Sequence, residues 1–433
     1  MRKSLGIAVA TTLAVALTGC SGQGATPQSP SQPGRPAAEG VETAPREPLP
    51  AAFDNTAGWL VREGDSGYDS PVVTADSRLV LFRASTTKSS HVEARDARTG
   101  RIAWASAPVG IEEGFGSLSL TRKDGKEYAI LTAMATEGGN GVDKATTVSR
   151  AFVFDTASAG SEVTPLHILT FPGGKAKFTV QDNGVLLAAS GNTVTVVDVS
   201  DGQETRYPVA DPALDAPRPC VLLVGTCNKR NTVEGLTSAG PLVQGYSAFW
   251  ITGGWFSGDV VPPGASAQEG HDTAEVVAIT GDLVLAAWPV KDGTSAARVW
   301  ALHDGRTGQV VAAVTCQWHE ADDPVDVEPV SSPGGRFLTA DLTGFDLDRK
   351  QGFCFQETAS RKQIHFSTVE DDGTAYGQAG RDQAPAAVSL PSGEPAALPA
   401  NTRIPDRLGR AVAVFGTYTA GGEKILIYPR AAR

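Results

Sequence analysis

From residue 57 onward the chain alternates short apolar runs with small polar breaks, and the runs have the length of strands. The stretch "SPVVTADSRLVLFRA" (70–84) holds a Val-Val pair, a polar turn and then a β-branched and aromatic run. The stretch "AEVVAITGDLVLAAWPV" (274–290) repeats that layout. Apolar positions at helical spacing are nearly absent, while 48 Gly and 28 Pro are spread along the chain as turns demand. Each pair of runs predicts two antiparallel strands joined by a tight turn.

A second motif follows these pairs. "ARDARTGRIAW" (94–104) recurs as "VVDVSDGQETRY" from Val196, "LHDGRTGQVVAA" from Leu302 and "AVSLPSGEPAAL" from Ala387. A looser copy, "VFDTASAGSEV", starts at Val153. The Asp is placed to accept backbone N–H bonds, the Gly supplies a positive φ, and the aromatic or branched residue beyond packs between neighbouring units. The residues carrying this role are Asp96, Gly100 and Trp104, Asp198 and Gly202, and Asp304 and Gly308. Aligned on Gly100, Gly160, Gly202, Gly308 and Gly393, the spacings are 60, 42, 106 and 85, the last two close to double a unit of 42–53. Two copies without the Gly are therefore expected, one in 210–265 and one near "CFQETASRKQI" (354–364).

Strand-rich units of this length are blades of a β-propeller. The best copy resembles the repeat of quinoprotein-type (PQQ-like) propellers, in which Asp-x-x-Thr-Gly precedes a Lys or Arg and a Trp. The expected fold is all-β, a propeller of seven or eight four-stranded blades over residues 53–433. Eight is favoured, because "GWLV" (58–61) supplies an outer strand that closes the ring on the C-terminal strands of 405–430. The resemblance does not extend to the enzyme. A PQQ dehydrogenase needs Ca²⁺ ligands, a catalytic Asp, an aromatic floor for the quinone and a vicinal disulfide, and no two cysteines here are adjacent. Trp104 and Trp300 read as packing between blades before cofactor stacking, and fold alone assigns no chemistry.

The first residues carry a different signal. Arg2 and Lys3 precede an uncharged apolar stretch, 4–17, that ends at Leu17-Thr18-Gly19-Cys20. That layout is a secretory signal, and its last residues resemble the bacterial lipobox, in which the Cys thiol takes a diacylglycerol. The stretch is shorter than the ~20 apolar residues of a membrane-spanning helix. The expectation is a signal peptide over 1–19, lipidation of Cys20, and a disordered Pro-rich tether over 20–52. The stretch 21–50, with seven prolines, buries too little apolar surface to offset ordering. The lipid bilayer is thus the first expected partner, at the extracytoplasmic face of the cell membrane.

Outside the cytoplasm, the remaining four cysteines suggest two disulfides. The shortest loops pair Cys220 with Cys227 and Cys316 with Cys354. Metal binding is the competing reading, but no Cys-x-x-Cys pair supports it. The net charge of −11, two units more negative without Arg2 and Lys3, argues against nucleic acid.

Catalytic signals are weak throughout. There is no Gly-x-Ser-x-Gly; Ser247 in "GYSAF" comes nearest. His319-Glu320 lacks the second His of a zinc helix. Glu320, Asp322, Asp323, Asp326 and Glu328 read as a solvated acidic loop, and "DLTGFDLDRKQG" (341–352) as a polar hairpin turn, since neither has the spacing of a Ca²⁺ loop. No catalytic residue, metal site or cofactor is assigned. The candidate binding surface is the aromatic group Tyr246, Trp250, Trp255 and Phe256, whose alternative reading is a buried hairpin. The expected function is a membrane-anchored binding or scaffold module for a protein or cell-envelope component. The alternatives are a quinone-dependent oxidoreductase or other enzyme with its site at the propeller channel, and a small-solute receptor.

Overall fold

Antiparallel hairpins are stacked into eight sheets in a computed structural model of the chain. It describes residues 41–62, 67–68, 71–86, 88–111, 116–140, 142, 144–209, 211–217, 231–245, 248–267, 273–291, 297–317, 327–419 and 422–432. The signal sequence, Cys20, Cys220, Cys227, Tyr246, Ser247, His319 and the acidic residues 320–326 lie outside these. Among the described residues there is no α-helix, only two 3₁₀ turns, Pro212–Leu214 and Ser257–Asp259.

Blade 1 comprises Val72–Val73, Leu79–Ser85, Ser89–Asp96 and Ile102–Ser106; blade 2 comprises Leu118–Lys123, Lys126–Glu137, Thr146–Asp155 and His167–Pro172. Blade 3 runs from Lys177–Gln181 through Val185–Ser190 and Thr193–Asp198 to Glu204–Pro208. Blade 5 is Glu275–Thr280, Leu283–Pro289, Ala297–Asp304 and Val310–Gln317. Blade 6 is Val330–Ser331, Phe337–Ala340, Thr343–Asp346 and Gln351–Cys354, and blade 7 is Ile364–Val369, Thr374–Ala379, Ala384–Ser389 and Glu394–Ala397. Blade 4 departs from the expected four strands. After Thr232–Thr237, Gly240–Gln244 and Phe249–Ile251, its outer strand is reduced to one bridge, Trp250 to Phe256, before the chain turns into Ser257–Asp259.

Closure follows the predicted route. Arg407–Leu408, Val412–Thr419 and Gly422–Pro429 receive Trp59–Arg62 from the other end of the chain, with Trp59 opposite Ile427 and Val61 opposite Ile425. This blade 8 has a fifth, outermost strand, Glu42–Thr43, paired to Leu60 and Trp59. The propeller therefore begins at residue 41 rather than 53. The Pro-rich composition of 41–52 hid an edge strand, the buried Ala44, and a carbonyl at Pro45 that accepts from the Tyr428 hydroxyl.

The middle strands of each blade are apolar on both faces, because each blade is sandwiched between two others. Eight hydrophobic clusters result, and each draws on two consecutive blades. One joins Leu81, Val92 and Trp104 to Leu131 and Phe154 of blade 2. The last in the circle joins Val412, Val414 and Ile427 to Val80 and Phe82 of blade 1. Clusters at all eight junctions close the ring. Cys316 and Cys354, as paired from the sequence, form a disulfide between the outer strands of blades 5 and 6, with Cα atoms 5.4 Å apart.

The repeated turns are docking points between blades. In blade 1, Asp96 Oδ1 accepts from Thr99 N and Oγ1 at 2.8 and 2.7 Å, and Gly100 N donates to Asp96 O at 2.8 Å. Asp304, Thr307 and Gly308 repeat this in blade 5. Onto each turn falls an aromatic ring from the preceding blade. A Cβ at Gly100 (φ +70°) would lie 2.8 Å from the Trp59 ring, and one at Gly308 (φ +75°) 2.6 Å from Trp255. The indole N–H groups complete the contact: Trp59 donates to Ala97 O, Trp104 to Thr156 O and Trp255 to Gly305 O, at 2.8, 3.1 and 2.9 Å. His167 and Phe353 cover Gly202 and Gly393 in the same way.

Two turn assignments change. The sixth copy is not near 354–364 but at Asp346–Lys350, where Lys350 takes the positive φ (+55°) that Gly holds elsewhere. Gly160 is not a hairpin glycine; it begins a short strand, Gly160–Val163, that lies parallel against Trp104–Ser106 of blade 1.

Candidate functional site

Of the candidate aromatic surface, Trp250, Trp255 and Phe256 serve in packing, and Tyr246 lies outside the described residues. Trp250 is 3% exposed and belongs, with Phe256, to the cluster between blades 3 and 4. Trp255 is spent on the blade 5 turn and stacks on His303, ring centroids 6.0 Å apart. Aromatics between blades bury large areas with specific contacts, so their grouping near one loop marks a junction rather than a free face.

What the fold does create is a channel. The first strands of the blades neighbour one another around the centre, and they enclose a cavity of about 1090 Å³ lined from blades 2, 3, 4, 5, 6 and 8. Its walls are mixed. Leu120, Phe178, Val276 and Ile279 are apolar, and charged groups lie among them.

The charges have a positional logic. Every inner strand runs the same way along the channel, so residues at the strand starts gather at one mouth. Lys177, Glu275 and Arg407 open the inner strands of blades 3, 5 and 8; Glu234 is near the start in blade 4, and Glu328 stands just before the strand of blade 6. The tight turn between the second and third strands of blade 6 brings Asp341 to the same end. There Asp341 Oδ1 accepts from His365 Nδ1 at 2.6 Å, and His365 Nε2 accepts from Gln363 at 3.1 Å. The hydrogen bond to Asp341 holds the His365 pKa above its usual range. With both ring nitrogens engaged, the His365 ring is held in place at this mouth.

Glu275 is the most perturbed carboxylate of this mouth. Burial raises its pKa, the nearby Glu234 raises it further, and Arg298 opposes both. Glu328 is paired at 3.7 Å with Arg407. At the opposite mouth, Asp182 pairs with Arg122 at 3.2 Å. Glu127, its pKa raised by burial, accepts from Ala75 N at 3.0 Å beside a smaller pocket of about 200 Å³. Among the described residues no group of three or more His, Cys, Asp or Glu is arranged to hold a metal ion.

Of these channel residues only Glu328 was named from the sequence, as part of an acidic loop; the others were passed over because they share a strand position but not a chemistry. Aligning the units on their Val-Val pairs, as in "AEVV" at 274–277, would have placed Glu275 at the head of an inner strand. The blade-turn residues Asp96, Gly100, Trp104, Asp198, Gly202, Asp304 and Gly308 all lie at the outer side, away from the channel.

No described protein family matches the chain, and no curated protein matches it. Solved structures share its outline. It is similar to Hsv2 of Kluyveromyces lactis at 9% identity, with a TM-score of 0.35 over 76% of this chain and 96% of that one. It is also similar to an uncharacterized protein of Listeria monocytogenes EGD-e, at 10% identity and TM-score 0.35, over 79% and 96% of the two chains. The Dos1 propeller matches at 10% identity and TM-score 0.33, covering 84% of this chain and 78% of its own. At these values the propeller assignment rests on the chain's own strand order and its eight inter-blade clusters.

Proposed function

We propose that this chain is a binding module of the bacterial cell envelope, held at the extracytoplasmic membrane face through lipidated Cys20 and recognising a protein or a cell-envelope component. The observation that carries this reading is where the chain enters the propeller. Glu42–Thr43 is the outermost strand of blade 8, the position farthest from the channel. Signal, lipobox-like Cys and Pro-rich stretch precede that strand in the order an anchored protein needs.

Replacing Cys20 by Ala, or treating cells with globomycin, is expected to abolish fatty-acid labelling and move the chain out of the membrane fraction. Photo-crosslinking in intact cells should then lose the adducts that the anchored chain forms. Membrane retention without lipid label would overturn the anchor. Robust dye reduction on adding PQQ and Ca²⁺ would overturn binding as the activity. A second reading, a small-solute receptor, is favoured by the channel itself: about 1090 Å³ is ample for a small ligand, and apolar and charged groups line it together.

A further inference from the structure

We propose that the chain forms a two-fold dimer in which the outer edge of blade 2, His167–Pro172, pairs antiparallel with the same strand of a second copy. This goes beyond the binding reading above and does not depend on it.

An outer blade edge presents unpaired backbone N–H and C=O groups, so it is where a propeller accepts a further strand. Two edges already hold one from this chain. Glu42–Thr43 lies outside blade 8, and Gly160–Val163 lies outside blade 1. Blade 2 is next in the circle, and among the described residues no strand lies beyond His167–Pro172. The side chains of that strand divide between two faces. Leu169 and Phe171 are buried in the cluster with blade 3. On the other face Ile168 is 58% exposed, Thr170 and Pro172 are exposed beyond it, and Leu166, just before the strand, is 52% exposed. Five large apolar residues are exposed among the described residues, and this one edge holds two of them. An uncovered edge with apolar side chains is a template for pairing.

Charge makes a second copy the occupant. With a net charge of −11, two copies repel over most of their surface. The outermost strands of blades 8, 1, 3 and 7 contain Glu42, Glu162, Glu204 and Glu394. A two-fold axis at any of these edges sets a glutamate near its own image, and like charges across a strand pair destabilise it. The outer strands of blades 5 and 6 carry no acid, but the Cys316–Cys354 bond ties them to each other. From Val163 to Gly174 the one ionisable residue is His167, whose ring lies over Gly202 in the blade 3 turn. Blade 2 is therefore the edge that meets its own copy without repulsion. Set antiparallel to itself, the strand brings Ile168 and Thr170 against their images. The same patch serves on both chains, so the contact closes at two.

The test combines light scattering after size exclusion, on the full chain in excess detergent micelles, with amide hydrogen exchange over a range of chain concentrations. A protein mass of two chains is expected, and exchange within 166–172 should slow as the concentration rises. Ile168→Lys and Thr170→Glu place a charge on the exposed face. Each should weaken the dimer at least about tenfold while leaving the urea midpoint unchanged. Thr205→Lys, on the outer edge of blade 3, should leave the dimer intact. A mass of one chain at every concentration, a dimer that survives both blade 2 variants, or a dimer lost equally in Thr205→Lys would each overturn the proposal. So would assemblies larger than two chains, or exchange within 166–172 that ignores concentration.

Discussion

Blade 5 meets its two neighbours by different devices. Toward blade 4, the turn at Gly308 lies under Trp255, and a buried polar chain runs behind it. His303 Nδ1 donates to Gly308 O at 2.9 Å, while His303 Nε2 accepts from Trp288 Nε1 at 3.1 Å. Toward blade 6, the turn corner is Lys350 rather than a glycine. The outer strand of blade 5 instead lies against Gly352, whose Cβ would sit 2.9 Å from Ala313 O, and Cys316 is bonded to Cys354. The blade 6 hairpin still forms: Asp346 Oδ1 accepts from Arg349 N at 3.1 Å with Lys350 at the positive-φ corner. The turn glycine therefore marks where another blade's ring lands. The hairpin alone does not require it.

That contrast fails first at Gly308. Gly308→Ala forces a side chain into the left-handed region and into the Trp255 ring. Strain and overpacking together predict a loss of about 3–4 kcal/mol, measured by urea denaturation. An unchanged midpoint would mean that Trp255 swings away freely and is no clamp. The next effect is a pH response. Burial lowers the His303 pKa from 6.5 to about 4. The unfolded imidazole binds the proton first, so stability is full above about pH 6.5 and falls as the pH drops toward 4, by about 3 kcal/mol in total. Below that both states are protonated and the slope from this residue ends. His303→Gln should flatten that window, and if it leaves the pH profile of unfolding unchanged, His303 is not the group responsible.

The seam toward blade 6 should respond to reductant instead. Cys316→Ser with Cys354→Ser, which opens a link spanning 38 residues, is expected to lower stability by about 2–4 kcal/mol. It should leave the His303-dependent pH window intact. A change in that window on reduction would show that the two faces of blade 5 are coupled rather than separate devices.

The same contrast explains what could be read beforehand. The ring and its closure were accessible because Asp, Thr and Gly recur with fixed roles at blades 1 and 5, and because "GWLV" had no partner except the last blade. Blade 6 was misplaced because its corner residue is Lys350, and a lysine carries no turn signal. The aromatics of 249–256 were read as a candidate surface because sequence cannot tell an exposed ring from one inserted between sheets. Glu234 and Glu275 were invisible for another reason: packing blade 4 against blade 5 brings them near one another, and no local pattern records that.

The smallest effect is the sharpest on that point. Lys350→Gly replaces a side chain at φ +55° by the residue that the other turns use there. Relief of left-handed strain is worth about 1 kcal/mol, and the added freedom of the unfolded glycine takes back roughly half of it. A gain of a few tenths of a kcal/mol is therefore expected from Lys350→Gly in the urea experiment that shows the large loss for Gly308→Ala. If Lys350→Gly instead cost more than about 1 kcal/mol, the lysine would be holding blade 6 by a contact beyond its backbone. Corner geometry alone would then not separate the two kinds of turn.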